Sequence, residues 1–173
     1  MMEKEVKQKN YELTAQDLKK MREELDYRRL TLMPELLEEV KRTRAFGDLS
    51  ENYEYKVAKQ EQNRNRGRIR YLERMIASAR VIEDKSADDE VGLFDKVTLK
   101  MMGKEKVIQV VSTVRCDALH GLISLESPMG KAVLGRKVGD IVHVRVSDTS
   151  EYDAEILAIE KMTDDGSAPL VRY

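Results

Sequence analysis

The spacing of the apolar residues changes near residue 85, and this change limits the chain to a two-part fold. Before it, apolar residues recur at helical intervals, as at Leu18, Met21 and Leu25, a pattern typical of amphipathic helices. After it, apolar and polar residues alternate as in half-buried strands. The alternating segments are DKVTLKM, KVIQVVST, GLISLES, DIVHVRV and DAEILAIEK. The sequence therefore predicts an α+β protein with an N-terminal helical domain at 1–84 and a small sheet domain at 85–173.

Two long helices are predicted in the first domain. The first begins after Thr14, a good N-cap residue, and continues through Pro34 with a kink because the apolar pattern resumes beyond the proline. It should end near Phe46, where Gly47 can adopt the left-handed C-cap conformation. The second helix opens after Asp48, and its inward positions alternate in steps of three and four residues, which indicates an antiparallel coiled-coil seam. These positions are Tyr55, Ala58, Gln62, Asn65, Ile69, Leu72, Ile76 and Ala79.

The segment GDLSENYEY, residues 47–55, falls at the turn of this hairpin, and two interpretations of its acids remain open. Helices of about 30 residues, rising about 1.5 Å per residue, make a rod of roughly 45 Å with this segment at its tip. Asp48 could cap the second helix, and Glu51 could complete a capping box. Alternatively, both carboxylates could help to hold a Mg²⁺ shared with another molecule, since Mg²⁺ takes only one or two carboxylates from a given protein. Capping explains the residue types but not their location.

A basic stripe follows this tip on the second helix. Residues 56–80 contain eight Lys and Arg but only two Glu, although the whole chain has a net charge of −1. Four of the cations, Lys56, Lys59, Arg66 and Arg70, share one flank of the seam, with Arg64 and Arg68 nearby. A solvated helix face is the ordinary interpretation of such a run. A flank whose charges are nearly all positive also suits binding to a phosphate backbone.

The sheet domain contains one other distinctive segment, SPMGKAVLG at 127–135. It predicts a short helix that starts at Pro128 and stops at Gly135. A rim that exposes Pro128 and Met129 could also serve as a docking surface. The last residues, TDDGSAPLVRY, predict a loose tail.

Composition and motifs exclude several classes of function. No GxGxxG, Walker A or nucleophile motif occurs, and His120 and His143 have no Cys or second His at metal-ligand spacing. Cys116 is the only cysteine, so no intrachain disulfide can form, and we expect a structural thiol in a reducing compartment. No apolar run approaches the roughly 18 residues that span a bilayer. We therefore expect a soluble, cytoplasmic protein with no membrane partner.

From Thr14 to Lys161 the chain resembles the bacterial Gre family of transcript cleavage factors. The likeness is carried by LKKMREEL, MPEL, RAFGDLSENYEY, SPMGKAVLG and VGDIV. It implies an antiparallel coiled coil followed by an FKBP-like antiparallel-sheet domain that docks on bacterial RNA polymerase. It also implies that the coiled coil enters the secondary channel, where Asp48 and Glu51 help to hold the second Mg²⁺ of the polymerase active centre, with Tyr55 close by. The polymerase then cleaves the 3′ end of its backtracked RNA, so the factor itself is not an enzyme.

The same resemblance assigns the docking loop. Glu126, Ser127, Pro128 and Met129 match it, with Glu126 in place of the family's usual Asp. We expect the basic stripe to attract the 3′ end of the nascent RNA, and we expect a monomer that does not bind Mg²⁺ tightly by itself. The segment RGRIRYLERM is closer to GreB-like sequences and VAKQEQN to GreA-like ones, so the subtype stays open.

Two functions of other classes also remain open. A Gre-like inhibitor would occupy the polymerase channel without promoting cleavage, although intact Asp48 and Glu51 argue against it. An RNA-binding coiled coil unrelated to polymerase would explain the basic stripe but not the acidic tip. RNA cleavage in stalled elongation complexes would distinguish these functions.

Overall fold

The computed structural model describes residues 11–45, 53–166 and 169–171, so Asp48 and Glu51 lie outside the described residues. Contacts divide the chain into two compact units. The first is helical and holds Ala15–Arg80, while the second holds Glu12–Thr14 and the chain from Val81 onward. The predicted fold class, a helical hairpin followed by a small sheet domain with a short helix, is confirmed.

The helical unit consists of two arms. Its helices are α1 (Ala15–Tyr27), α2 (Met33–Arg44) and α3 (Tyr53–Ala77), with a π-helical segment at Arg28–Leu32 between α1 and α2. Glu24 contacts Arg68, and Arg28 contacts Asn65. Because residue numbers fall along one arm as they rise along the other, α3 runs antiparallel to the first arm. None of the helices described here has the length and apolar character that a membrane crossing needs.

The chain stays helical through Pro34, as predicted, and the irregularity expected there is the π-helical segment. Pro34 has no N–H to donate to Leu30, and in an α-helix its ring would crowd that carbonyl group. The segment directly before the proline is wider, and the N–H of Met33 donates to the carbonyl oxygen of Arg28, five residues earlier. Such a widened turn accommodates the proline without ending the helix.

The seam between the arms changes character along its length. The buried residues at the end where α1 begins are mostly apolar, and these are Leu18, Met21, Leu72 and Met75, together with the fully buried Asp17. Toward the other end they are mostly small or polar, and these are Leu36, Thr43, Ala58, Gln62 and Asn65.

The predicted seam is wrong where α3 ends. The helix stops at Ala77, and Ala79 lies in a strand. Both the N–H and the hydroxyl of Ser78 donate to the carbonyl oxygen of Arg74, at 3.1 and 2.8 Å. The carbonyl of Ser78 then accepts from the N–H of Tyr11 at 3.0 Å. Strand pairing therefore overrides the helical pattern, and Met75 takes a buried position that the prediction left out.

The second unit is built on a five-stranded sheet with the order β5-β4-β3-β7-β6. Its strands are β3 (Lys96–Met101), β4 (Lys104–Val111), β5 (Leu122–Ser124), β6 (Ile141–Ser147) and β7 (Ser150–Glu160). All neighbours pair antiparallel except β4 and β5, which are parallel. Two further strands, β1 (Tyr11–Leu13) and β2 (Ala79–Val81), form a separate sheet. Alternate residues of the larger sheet are buried, and α4 (Pro128–Val133) packs on β5 and β6.

The loop that precedes β3 is tied to the end of β7 by Lys161. The Lys161 ammonium donates to the Asp95 carboxylate at 2.7 Å, to the Ser86 hydroxyl at 2.9 Å and to the Glu90 carbonyl at 3.0 Å. Asp95 is fully buried and also accepts from the N–H of Gly92 at 2.6 Å. A buried carboxylate needs such partners because an isolated buried charge is costly.

The residues after β7 are attached to the sheet domain, so the prediction of a loose tail is wrong for those that the structure describes. Arg115 is 1% exposed and donates two hydrogen bonds to the Asp164 carboxylate, at 2.6 and 2.8 Å. Its guanidinium carbon lies 5.0 Å from the centre of the Phe94 ring. The N–H of Val171 donates to the carbonyl oxygen of Val114 at 2.8 Å. The tail thus neutralises a buried cation.

Candidate functional site

The two helix ends that flank the predicted acidic tip are described. α2 ends at Arg44 and α3 begins at Tyr53, so Asp48 and Glu51 fall in the sequence between them. Thr43 is fully buried in the last turn of α2, and its hydroxyl donates to the carbonyl of Glu39 at 2.9 Å. Tyr55 is half-buried in the first turn of α3. Both flanks are therefore ordered helix up to residues close to the acids.

Two of the charged groups near this end of α2, Glu39 and Arg42, are paired with each other. Arg42 donates to both oxygens of the Glu39 carboxylate, at 2.6 and 2.9 Å. The hydrogen bond to Glu39, with a smaller contribution from the charge of Glu54, raises the pKa of Arg42 above its ordinary value. The same hydrogen bond lowers the pKa of Glu39. Glu39 is therefore engaged by Arg42 rather than open to a metal.

The basic stripe on α3 contains both exposed and inward-turned cations. Lys56, Arg66 and Arg70 are exposed. Lys59 is half-buried, and its ammonium donates to Oε1 of the seam residue Gln62 at 3.1 Å. The stripe therefore offers a cationic surface to solvent, with Lys59 partly directed to the seam.

Arg68 does not belong to this cationic surface, because it crosses the seam to Glu24. Its side chain is 8% exposed and donates Nε and Nη2 to the Glu24 carboxylate at 2.9 and 2.8 Å. The guanidinium carbon also lies 5.0 Å from the centre of the Tyr71 ring. Arg68 is near the four stripe cations in sequence, but the structure pairs it with Glu24 across the seam.

Two further residues complete this arrangement. Arg28 donates Nε to the Glu24 carboxylate at 2.7 Å and Nη1 to Oδ1 of Asn65 at 3.0 Å. Asn65, which is 3% exposed, donates its amide to the carbonyl oxygen of Arg28 at 3.3 Å. Partial burial by itself would raise the pKa of Glu24, but the hydrogen bonds from Arg68 and Arg28 outweigh it and lower the pKa. We call Glu24, Arg28, Asn65 and Arg68 the cross-arm cluster.

The predicted docking residues lie at the start of α4. Ser127 is the N-cap residue, and its hydroxyl accepts from the N–H of Gly130 at 3.0 Å. Pro128 occupies the first turn and is exposed, as predicted. Met129 is half-buried and packs against the sheet core, so the expectation of an exposed Met129 is only partly right. Glu126 precedes the cap and is half-buried.

A cavity of about 340 Å³ opens beside α4. Its apolar lining includes Leu93, Leu125 and Leu134, and its charged lining residues are Glu12, Glu83, Asp84, Lys85 and Glu90. Leu125 and Leu134 lie just before and just after α4 in sequence. An apolar base with a few polar groups suits a side chain of a protein partner.

Both histidines contact carboxylates at the surface. The Nδ1 of His143 lies 2.8 Å from Asp153 and its Nε2 lies 3.3 Å from Glu151. The hydrogen bond with Asp153, followed by that with Glu151, raises the pKa of His143. His120 contacts Asp117 through Nδ1 at 2.7 Å. Within residues 11–45, 53–166 and 169–171, no group of three or more His, Cys, Asp or Glu is arranged to hold a metal ion.

Two models of protein families match the chain, one on each unit. The model described as "Transcription elongation factor, N-terminal" matches residues 11–81, and "Transcription elongation factor, GreA/GreB, C-term" matches residues 85–161. Among curated relatives, transcription elongation factor GreA of Streptococcus gordonii is 40% identical over 157 residues, which cover 89% of this chain and 98% of the relative. GreA of Streptococcus pneumoniae D39 is 38% identical over the same length and the same shares.

Solved structures of GreA homologues are also similar to this chain. GreA factor homolog 1 of Thermus thermophilus is 27% identical, with 88% of this chain and 100% of that chain covered and a TM-score of 0.43. The corresponding protein of Thermus aquaticus is 27% identical, with 88% and 99% covered and a TM-score of 0.42.

Proposed function

Because the chain belongs to the GreA/GreB family of transcription elongation factors, we propose that it binds bacterial RNA polymerase and stimulates cleavage of backtracked RNA. The chain is an accessory factor, and the polymerase performs the hydrolysis. The observation that carries the proposal is the helical hairpin itself. Its arms run antiparallel up to Arg44 and Tyr53, so the connection between them contains Asp48 and Glu51. A narrow helical hairpin that carries two acids in its connection suits insertion into the secondary channel.

Asp48 and Glu51 would contribute carboxylate oxygens to the second Mg²⁺ of the polymerase active centre. Carboxylates are the hard oxygen ligands that Mg²⁺ prefers, and two from one protein leave positions for water and for groups of the polymerase. When bound, this ion would stabilise the negative charge on the attacking and leaving oxygens. Glu39, one of the acids in the last turns of α2, is paired with Arg42 and is therefore not part of the proposed donor set. Two carboxylates are too few to hold Mg²⁺ tightly in the isolated chain.

The cationic surface of α3 would attract the nascent RNA. Lys56, Arg66 and Arg70 are exposed, and cations along a groove or rod follow a phosphate backbone through charge. Lys59 would contribute less, because its ammonium already donates to Gln62. Tyr55 lies at the start of the same helix, and we propose that it contacts the RNA end near the reacting phosphate.

The sheet domain would dock on the polymerase through the residues at the start of α4. Pro128 is an exposed, rigid apolar group, and the adjacent cavity offers an apolar base for a partner side chain. Exposed apolar groups beside a pocket are typical of binding surfaces. Ser127 and Glu126 would fix the orientation by polar contacts.

The proposal is tested with polymerase halted in backtracked elongation complexes that carry end-labelled RNA. Addition of the full chain should shorten the RNA at its 3′ end, and polymerase alone should do so more slowly. A Pro128→Arg variant, which keeps Asp48 and Glu51, should need a higher concentration for the same effect. Slower transcription without shortened RNA would support the channel-blocking inhibitor instead. No effect on transcription together with binding to free RNA would contradict both.

A further inference from the structure

We propose that the cross-arm cluster sets the register of the two helical arms and thereby positions the connection that contains Asp48 and Glu51. Glu24, Arg28, Asn65 and Arg68 would thus be positioning residues. The consequence for cleavage rests on the proposed function, whereas the register itself does not.

The contacts of the cluster can form in one register only. The Glu24 carboxylate accepts from Arg28 on its own arm and from Arg68 on the opposite arm. Asn65 both accepts from and donates to Arg28. A shift of α3 by one turn would separate these partners and leave poorly exposed polar groups unpaired. The loss is most costly for Arg68 and Asn65, which are 8% and 3% exposed, because groups that have already lost their water cannot regain its hydrogen bonds.

The remaining seam near the connection discriminates weakly between registers. Apart from Leu36, the residues buried there are Thr43, Ala58 and Gln62, and such small or polar side chains give little interlocking volume. The strongly apolar residues, such as Leu72 and Met75, lie toward the opposite end. Single polar contacts in a helical seam are the best-attested device for fixing register. The cluster lies between these two regions of the seam.

The π-helical segment gives the cluster a second function in the alignment. The carbonyl oxygen of Arg28 accepts the N–H of Met33 and also the side-chain amide of Asn65. A π-helical segment changes the rotational phase between the helix before it and the helix after it. The hydrogen bond from Asn65 therefore fixes the position along α3 that lies opposite this change of phase in the first arm. Both α1 and α2 then direct their seam residues toward α3.

A change of register would move the proposed metal ligands by a large amount on the scale of catalysis. One helical turn corresponds to about 5.4 Å along the axis. A displacement of about 1 Å at a reacting centre can lower a rate by about a hundredfold. An unregistered hairpin could therefore still enter and bind, yet place its carboxylates poorly.

The test replaces the cluster with apolar residues in the full chain. The variant Glu24→Leu, Arg28→Leu, Asn65→Leu and Arg68→Leu should still fold, because apolar replacement of a buried charged group is often neutral or stabilising. Its matched control is Arg29→Leu with Glu73→Leu, a charge pair that joins the same two arms but is exposed. If the four-residue variant fails to fold, Asn65→Leu alone is compared with the same control.

Register is read by electron–electron distance measurements between spin labels at Arg22→Cys and Glu54→Cys, in a Cys116→Ser background. The labelled chain with the unchanged cluster should give one narrow distance distribution, and so should the labelled control with Arg29→Leu and Glu73→Leu. The cluster variant should give an additional population displaced by about 5 Å, the rise of one turn. At saturating factor its cleavage rate should fall by at least about tenfold, while the concentration for half-maximal polymerase binding stays the same.

The outcomes separate the two proposals. One unshifted, narrow distribution in the cluster variant overturns the register proposal, whatever happens to cleavage. A shifted distribution with full cleavage confirms the register function but overturns its effect on the position of the acids. A shifted distribution together with an unaltered chain that never stimulates cleavage confirms the register and contradicts the proposed function.

Discussion

A Cβ atom on Gly130 would lie 2.2 Å from the carbonyl oxygen of Ser124. The first turn of α4 therefore lies directly against the end of β5, at a distance that only glycine permits. Ser124 also holds the segment before the helix, because its hydroxyl accepts from the N–H of Glu126 at 3.1 Å. The position of Pro128 thus depends on the contacts of Gly130 and Glu126 with Ser124 rather than on the proline itself.

Replacement of Gly130 by alanine should destabilise the sheet domain by about 1–3 kcal/mol, because the backbone must move away from Ser124. The matched control is Gly67→Ala in α3, where an added Cβ meets nothing within 4 Å. That change should stabilise the hairpin by about 0.5–1 kcal/mol, because alanine favours a helix. Urea denaturation measures both effects. Equal stability of the two variants would contradict the close contact.

The acids of the connection should affect cleavage and not folding. Asp48→Asn keeps a good N-cap residue and should alter stability by only a few tenths of a kcal/mol. Glu51→Gln likewise keeps a capping-box side chain without its charge. Both variants should bind polymerase normally but stimulate RNA cleavage on the order of a hundredfold less, with partial recovery at raised Mg²⁺. Near-normal cleavage by both would leave helix capping as the whole explanation.

The exposed cations of α3 should act on RNA through charge. Changing Lys56, Lys59, Arg66 and Arg70 together to Gln should weaken crosslinking of the RNA 3′ end to the hairpin. The dependence of binding on salt should also become less steep, by up to about 0.7 in log–log slope for each lost phosphate contact.

The control for this experiment removes four exposed cations from the opposite arm, and these are Lys19, Arg22, Lys41 and Arg44. It alters the net charge of the chain by the same amount. Equal salt slopes for the two variants would indicate that the stripe on α3 is only a solvated helix face.

The pairing of Arg115 with Asp164 should contribute strongly to stability. Asp164→Ala leaves a cation that is 1% exposed without its carboxylate, and breaking such a pair costs about 3–5 kcal/mol. The exposed pair of Arg145 with Asp148 serves as the control, because Asp148→Ala should cost less than about 1 kcal/mol. Thermal and urea unfolding compare the two, and similar losses would show that Arg115 finds another partner.

His143 should titrate above the ordinary range of a histidine, because the hydrogen bonds to Asp153 and Glu151 raise its pKa. A raised pKa in the folded state means that the charged form is stabilised. This contribution is complete below about pH 6.5, the ordinary value, and is lost as the pH rises through the folded-state pKa. Asp153→Asn should lower the pKa measured by NMR of the ring protons, and an unchanged midpoint would disprove this pairing.

Local patterns predicted much of the fold, because their determinants lie close together in the sequence. Alternating residues located β3 and β6 to within one residue of each end, and Pro128 marked the start of α4. The kink expected at Pro34 corresponds to a π-helical segment, since both follow from the missing N–H of proline. Hydrophobic spacing likewise located the seam of the hairpin over most of α3.

Contacts between distant residues were not predictable in this way. Arg68 looks like one of several cations on α3, and only its position opposite Glu24, 44 residues earlier, shows that it belongs to the seam. Asp164 likewise lies in a polar run, and its partner Arg115 is 49 residues away. In each case the sequence predicts a charge but not whether that charge is solvated or paired. The tip acids Asp48 and Glu51 remain predictions, because they lie outside the described residues.

The hydrogen bonds that Lys161 donates have a consequence for how this domain can evolve. Its ammonium holds Asp95 and the loop at Ser86, so residues from the two ends of the sheet domain form one contact group. Recombination that exchanged the segment containing Asp95 without the segment containing Lys161 would separate these partners. The buried Asp95 carboxylate would then lose its cation. Residues that stand 66 positions apart in the sequence therefore constrain one another, and a change of either one favours a matching change of the other.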